Sequence, residues 1–144
     1  MLHNVPVMPT KFKNRFILGY PDSRIRTALR NPAYPPFFEL ICHGSLPNKK
    51  GETFALPYAE EDGSQPKALN AEQLFEIIAT HPAYSFGQPV RLIMCCAGYG
   101  PNSLAQQLAD LLGAPVLAAN DLVCAYTLLP FDNGRWILFE PRIR

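Results

Sequence analysis

The sequence predicts an α/β fold with a mostly parallel central sheet flanked by helices. Three observations carry this reading. Short apolar runs with little polar alternation occur at 37–42 (FFELIC), 90–95 (VRLIMC) and 115–119 (PVLAA), the pattern of strands buried on both faces. Segments with helical periodicity alternate with them at 70–81 and 103–112. The resulting order of strand, helix, strand, helix, strand favours parallel pairing through right-handed crossovers, with helices on both faces.

Composition sets the outer limits. The chain has 144 residues, a length suited to one domain with a sizeable core. Apolar residues make up 48% and aromatics 11%, which excludes a disordered chain. Only 17% of residues are charged and the net charge is +1, which argues against a nucleic-acid binder that works by neutralising phosphates. No stretch approaches the roughly 20 apolar residues of a membrane helix, and 1–15 (MLHNVPVMPTKFKNR) lacks the apolar run of a signal peptide. Proline is frequent, at 15 residues, which predicts short elements and rigid loops. The four cysteines include an adjacent pair and no Cys-x-x-Cys spacing. This is neither a disulfide framework nor a zinc-ligand pattern, and it predicts reduced thiols in the cytoplasm and no metal.

Residues 1–36 form a basic leader. Lys11, Lys13, Arg15, Arg24, Arg26 and Arg30 stand against one acid, Asp22, and are expected at a solvated surface. Within the leader, 15–20 (RFILGY) reads as a strand stopped by Pro21. The segment 23–30 reads as a short helix with Ile25 and Leu29 on one face. Asn-Pro at 31–32 and Pro-Pro at 35–36 then separate the leader from a core spanning 37–144. Residues 46–69 are polar and rich in Pro, Gly and Lys, a loop or hairpin whose acids at 60–62 are solvated. The helix at 70–81 opens with Asn70 and Gln73 in capping-box spacing and stops at Pro82. A Gly-rich turn at 97–102 leads to the helix at 103–112, with Ser103 and Gln106 at its start and Gly113 at its end. Segments 126–131 and 136–139 are expected to form a hairpin across Asp-Asn-Gly at 132–134.

In a parallel sheet, active sites lie outside the carboxyl ends of the strands. His43 and Cys95 both fall at such ends, in strands placed to be neighbours. A thiol held at the end of a buried strand and entering a Gly-rich turn is presented rigidly to a cleft. The helix start at Ser103 adds a dipole that favours the thiolate. His43 is placed to take the thiol proton or to protonate a leaving amine. The N–H groups of Gly44 and Cys95 are candidates for an oxyanion hole. Cys42 and Cys124 read as small core residues. His3 lies in the leader, and His81 ends a helix, where a cation would meet the dipole favourably.

The set ICHGS (41–45), VRLIMCCAG (90–98), SLAQQLADLLGAPVLAAND (103–121) and RWILFEP (135–141) resembles the clan CD cysteine peptidases, which include caspases, gingipains, separases and CHAT domains. It is most similar to CHAT-like peptidase domains of bacterial Rhs polymorphic toxins. The resemblance covers about residues 37–141. It implies a caspase-like three-layer sandwich, a Cys–His dyad without cofactor, and cleavage of a protein target. It also implies a bacterial toxin or effector setting, either cytoplasmic or secreted into a target cell, with a cognate immunity protein as partner and neither nucleic acid nor membrane. In the family's C-x-x-G form the nucleophile is Cys95, with Gly98 as the glycine. In the caspase C-x-G form it is Cys96, the alternative. Ala97 stands where Thr or Ser is common, and Met94 where a small residue usually precedes the cysteine. By analogy, Asp121 at the third strand's carboxyl end is a candidate specificity residue for a basic P1 side chain, against a local backbone cap. Two other readings keep the fold: an inactive binding module, and a Cys–His deamidase or acyltransferase.

Overall fold

The computed structural model describes residues 4–142. The described residues form strands β1 (Val7–Pro9), β2 (Arg15–Leu18), β3 (Phe38–Ile41), β4 (Val90–Ile93), β5 (Val116–Ala119) and β6 (Trp136–Phe139). Between them lie helices α1 (Ser23–Ala28), α2 (Ala71–Ala79) and α3 (Leu104–Leu112). The six strands make one mixed sheet in the order β1-β2-β3-β4-β5-β6. The central four run parallel, and β1 and β6 close the two edges antiparallel.

Two strands depart from the sequence reading. β1 is three residues long, too short to give a periodic signal, and its proline sits on an edge strand, where a missing N–H is tolerated. The expected hairpin between 126–131 and 136–139 is absent. β6 pairs with β5 instead, Trp136 opposite Ala119 and Phe139 opposite Val116. The preceding segment folds on itself: Leu128 N–H donates to Cys124 O, Cys124 N–H donates to Leu129 O, and Leu128 takes φ 58°. A left-handed residue in that position breaks strand geometry.

Alternation along the strands divides the core between two faces. Phe16, Leu18, Phe38, Leu40 and Leu92 pack under α2 and α3, while Ile17, Ile41 and Ile93 pack under Ile25 and Ala28 of α1. The three parallel connections step the same way across the sheet, yet α1 passes over one face and α2 and α3 over the other. The β2–α1–β3 connection therefore has the opposite hand from the other two, so crossovers of a single hand do not hold here. The usual preference comes from a twisted strand feeding a helix packed along it. α1 has only six residues, so little helix is packed in this way.

Caps end the helices where the sequence places them. In α2, Asn70 Oδ1 accepts from Gln73 N–H while Gln73 Oε1 accepts from Asn70 N–H. In α3, Ser103 accepts from Gln106 N–H, but the Gln106 side chain donates to Asp110 and Glu140 O, so the box is half-formed. Gly113 ends α3 in the left-handed conformation.

One charge sits in each of β2, β3 and β4, and all three are interior. Arg15, Glu39 and Arg91 face one another across the register, with 0%, 0% and 3% exposure. Glu39 accepts from Arg15 Nε at 2.7 Å and from Arg91 Nη1 at 3.0 Å. Arg15 is thus a buried ion-pair residue and not part of a solvated basic leader. Its two terminal nitrogens donate to Asn31 O and Pro32 O, which ties the chain after α1 to the sheet.

Candidate active site

The register builds the site. Ile41 lies opposite Ile93, so two residues further on His43 and Cys95 stand level at the carboxyl ends of neighbouring parallel strands. Both line one cavity of about 90 Å³, closed by Ile25 and Ala28 of α1 and by Val123 and Leu128. Its walls are apolar apart from the ends of the two strands and Arg24. No hydrogen bond joins His43 to Cys95 among the described residues.

The two adjacent cysteines are separated by the turn. Cys95 is partly exposed, and its Sγ accepts from Val123 N–H at 3.3 Å. Cys96 takes φ 60°, is buried to 3% and does not line the cavity. Burial pushes its thiol up to about 11, with Cys95 and Asp121 adding to the effect. The turn is held on three sides: Cys96 N–H donates to Asp121 O, Gly98 N–H to Ala119 O, and Ala105 N–H of α3 to Ala97 O. The Gly98 amide is thereby spent on the sheet. The Gly44 and Cys95 amides donate no hydrogen bond among the described residues, which leaves them free to receive an oxyanion. Gly44 presses on the turn so closely that a Cβ would lie 2.2 Å from Cys95 O. The His-Gly and Cys segments are therefore in backbone contact.

Sequence reasoning missed Asp22. It caps α1, with Oδ1 accepting from Ile25 N–H at 2.9 Å, and its Oδ2 lies 2.6 Å from His43 Nε2. Burial pushes this carboxyl up, but the Ile25 amide and His43 together hold it below its ordinary value of 3.8. An ionised carboxylate only accepts, so His43 Nε2 carries a proton, and in the neutral imidazole Nδ1 is the nitrogen with the free lone pair. The ring also packs edge-on to Tyr58, centroids 5.6 Å apart. The available signal was that Asp22 is the lone acid of the leader and precedes a helix. Its link to His43 is made only by the fold.

Other candidates lie elsewhere. Asp121 accepts from the next amide, Leu122 N–H, at 2.7 Å and does not line the cavity with His43 and Cys95. Cys42 is buried and pushed up to about 12, a core thiol as its sequence suggested. Cys124 is partly exposed, and its thiol is lowered chiefly by the Thr127 hydroxyl. His81 is no helix-end cation: its Nδ1 accepts from Ala83 N–H, its ring sits 4.5 Å from that of Phe16, and burial lowers its pKa. His3 lies outside the described residues. No group of three or more His, Cys, Asp or Glu is placed to hold a metal ion among the described residues. No helix there is long and apolar enough to cross a membrane.

A family model described as Domain of unknown function (DUF8616) matches residues 21–137. No curated protein and no solved structure matches the chain.

Proposed function

The chain belongs to the DUF8616 family, and from its geometry we propose that it is a cysteine endopeptidase of the caspase-like, three-layer kind. The observation that carries this reading is the level placement of His43 and Cys95 at one cavity, on strands whose register is fixed by Ile41 opposite Ile93. Cys95 is the nucleophile. Its thiolate attacks the scissile carbonyl, and the Gly44 and Cys95 amides receive the negative charge that develops on oxygen. His43 Nδ1 takes the thiol proton and gives it to the leaving amine, which departs as the C–N bond breaks. Water then attacks the thioester, His43 takes its proton, and the Cys95 thiol is restored with release of the new carboxyl terminus. Asp22 is a positioning residue that keeps the Nε2 proton in place and holds the ring towards the cavity. The resemblance in the sequence supports a protein substrate, a toxin or effector setting and a cognate immunity protein.

The test is to incubate the purified chain with a mixed peptide library and weigh the products. Proteolysis gives paired fragments whose formation stops in Cys95→Ala. A mass shift of about 1 Da on intact peptides would make the reaction a deamidation. Unchanged peptides with tight retention of a subset would make the cleft a binding site only.

A further inference from the structure

Arg91 is the one member of the buried charge set whose hydrogen bonds are incomplete. Every nitrogen of Arg15 has a partner: Nε donates to Glu39, Nη1 to Asn31 O and Nη2 to Pro32 O. Arg91 spends only Nη1, on Glu39 Oε2. Its Nε is buried without a partner, and Nη2 makes no hydrogen bond among the described residues. Nη2 is therefore the guanidinium nitrogen left open to an outside acceptor, and a carboxylate oxygen suits it. Two arginines against one glutamate also leave a net positive charge in the interior, and a buried charge normally has a counter-charge.

The surroundings give this nitrogen a chamber. Arg91 lies on the wall of a cavity of about 270 Å³, separate from the one at Cys95, with Leu117, Leu129, Tyr34 and Trp136 among its lining. One water occupies about 30 Å³ of liquid, so there is room for a small molecule. Tyr34 and Trp136 each hold the guanidinium carbon 4.6 Å from the ring centroid. These cation–π contacts fix the plane of the guanidinium. Tyr34 and Leu129 are exposed, so the chamber reaches solvent.

We propose that this cavity binds a small monocarboxylate with an apolar body, one carboxylate oxygen accepting from Arg91 Nη2 and the body against Leu117 and Leu129. The site is independent of the peptidase reading. Leu128 lines both cavities, so occupancy here bears on the wall that faces Cys95.

Trp136, the single tryptophan of the chain, is a built-in reporter. The probe is sodium benzoate, titrated into the Cys95→Ala chain, with benzyl alcohol as the neutral control at equal ionic strength. Trp136 emission is expected to change saturably with benzoate and not with benzyl alcohol, and the melting temperature to rise with benzoate. Arg91→Met keeps Arg15 and Glu39 as a balanced pair and is expected to weaken binding at least about tenfold. Leu117→Phe leaves every charge in place and fills the chamber, and is expected to remove binding, so the test stands even where Arg91→Met fails to fold. Absence of a saturable response in the folded chain, an equal response to benzyl alcohol, or undiminished binding in Leu117→Phe would each overturn the proposal.

Discussion

Cys95 and Cys96 are one peptide bond apart, and the left-handed turn at Cys96 separates their environments. Burial raises the Cys42 and Cys96 thiols to about 12 and about 11, so both stay protonated near neutral pH and are expected to resist iodoacetamide. Cys95 and Cys124 are expected to react. His43→Ala should slow alkylation of Cys95 and leave that of Cys124 unchanged, which peptide mapping would read; equal slowing of both would remove the case for a Cys95–His43 pair. Asp22 separates function from stability. Asn is as good a helix cap as Asp, so Asp22→Asn should keep the cap and lower the melting temperature only by the loss of the carboxylate charge, less than Asp22→Ala does. It should cut kcat by about 10²–10⁴-fold, through loss of the charge that fixes the His43 tautomer. Asp22→Ala should show the same loss of kcat and about 1 kcal/mol of destabilisation besides. The folded carboxyl is depressed, so its contribution to stability is complete above the ordinary value of 3.8 and disappears as pH falls through the lower folded value.

At the scale of elements, the close approach of two loops is the feature most exposed to mutation. A Cβ at Gly44 would collide with Cys95 O at 2.2 Å, and both atoms belong to backbones held by the sheet. Gly44→Ala is therefore expected to abolish activity and to lower the urea midpoint. Gly51→Ala meets no atom within 4 Å, so it would show only the strain of its positive φ. Capping signals were legible from sequence because they are local: Asn70 with Gln73, Ser103 with Gln106, and Gly113 all act within one turn. The 126–131 segment was not legible. Its aromatic and aliphatic residues suit a strand, but the positive φ of Leu128 and the Trp136 Nε1 hydrogen bond to Leu128 O turn it into a wall of the site. That bond depends on β6 choosing β5 as its partner, a choice made at long range.

For the whole molecule, the register of three strands is the organising fact. It aligns Arg15, Glu39 and Arg91 at one level and His43 with Cys95 at another, four residues further along the strands. The lone charges in RFIL, FELI and VRLI were visible in the sequence. That they pair inside the protein was not, because pairing depends on which strands adjoin and in what register. The hand of the β2–α1–β3 connection was illegible for a related reason, since local pattern says nothing about which face a short helix will cover. Glu39 is the only carboxylate between two buried arginines, so Glu39→Gln is expected to cost about 3–5 kcal/mol in urea unfolding. Arg15→Met, which leaves a balanced Glu39–Arg91 pair, should cost less, and a reversed order would mean that the charge balance is not what holds these strands in register. Cys95 is the proposed nucleophile, and peptide cleavage should depend on it and not on Cys96. N-terminal proteomics of bacterial cells producing the wild-type chain, Cys95→Ala or Cys96→Ala tests this most directly. New protein N-termini in the wild type and in Cys96→Ala, absent from Cys95→Ala, are the predicted result. Persistence of the same N-termini in Cys95→Ala would contradict it.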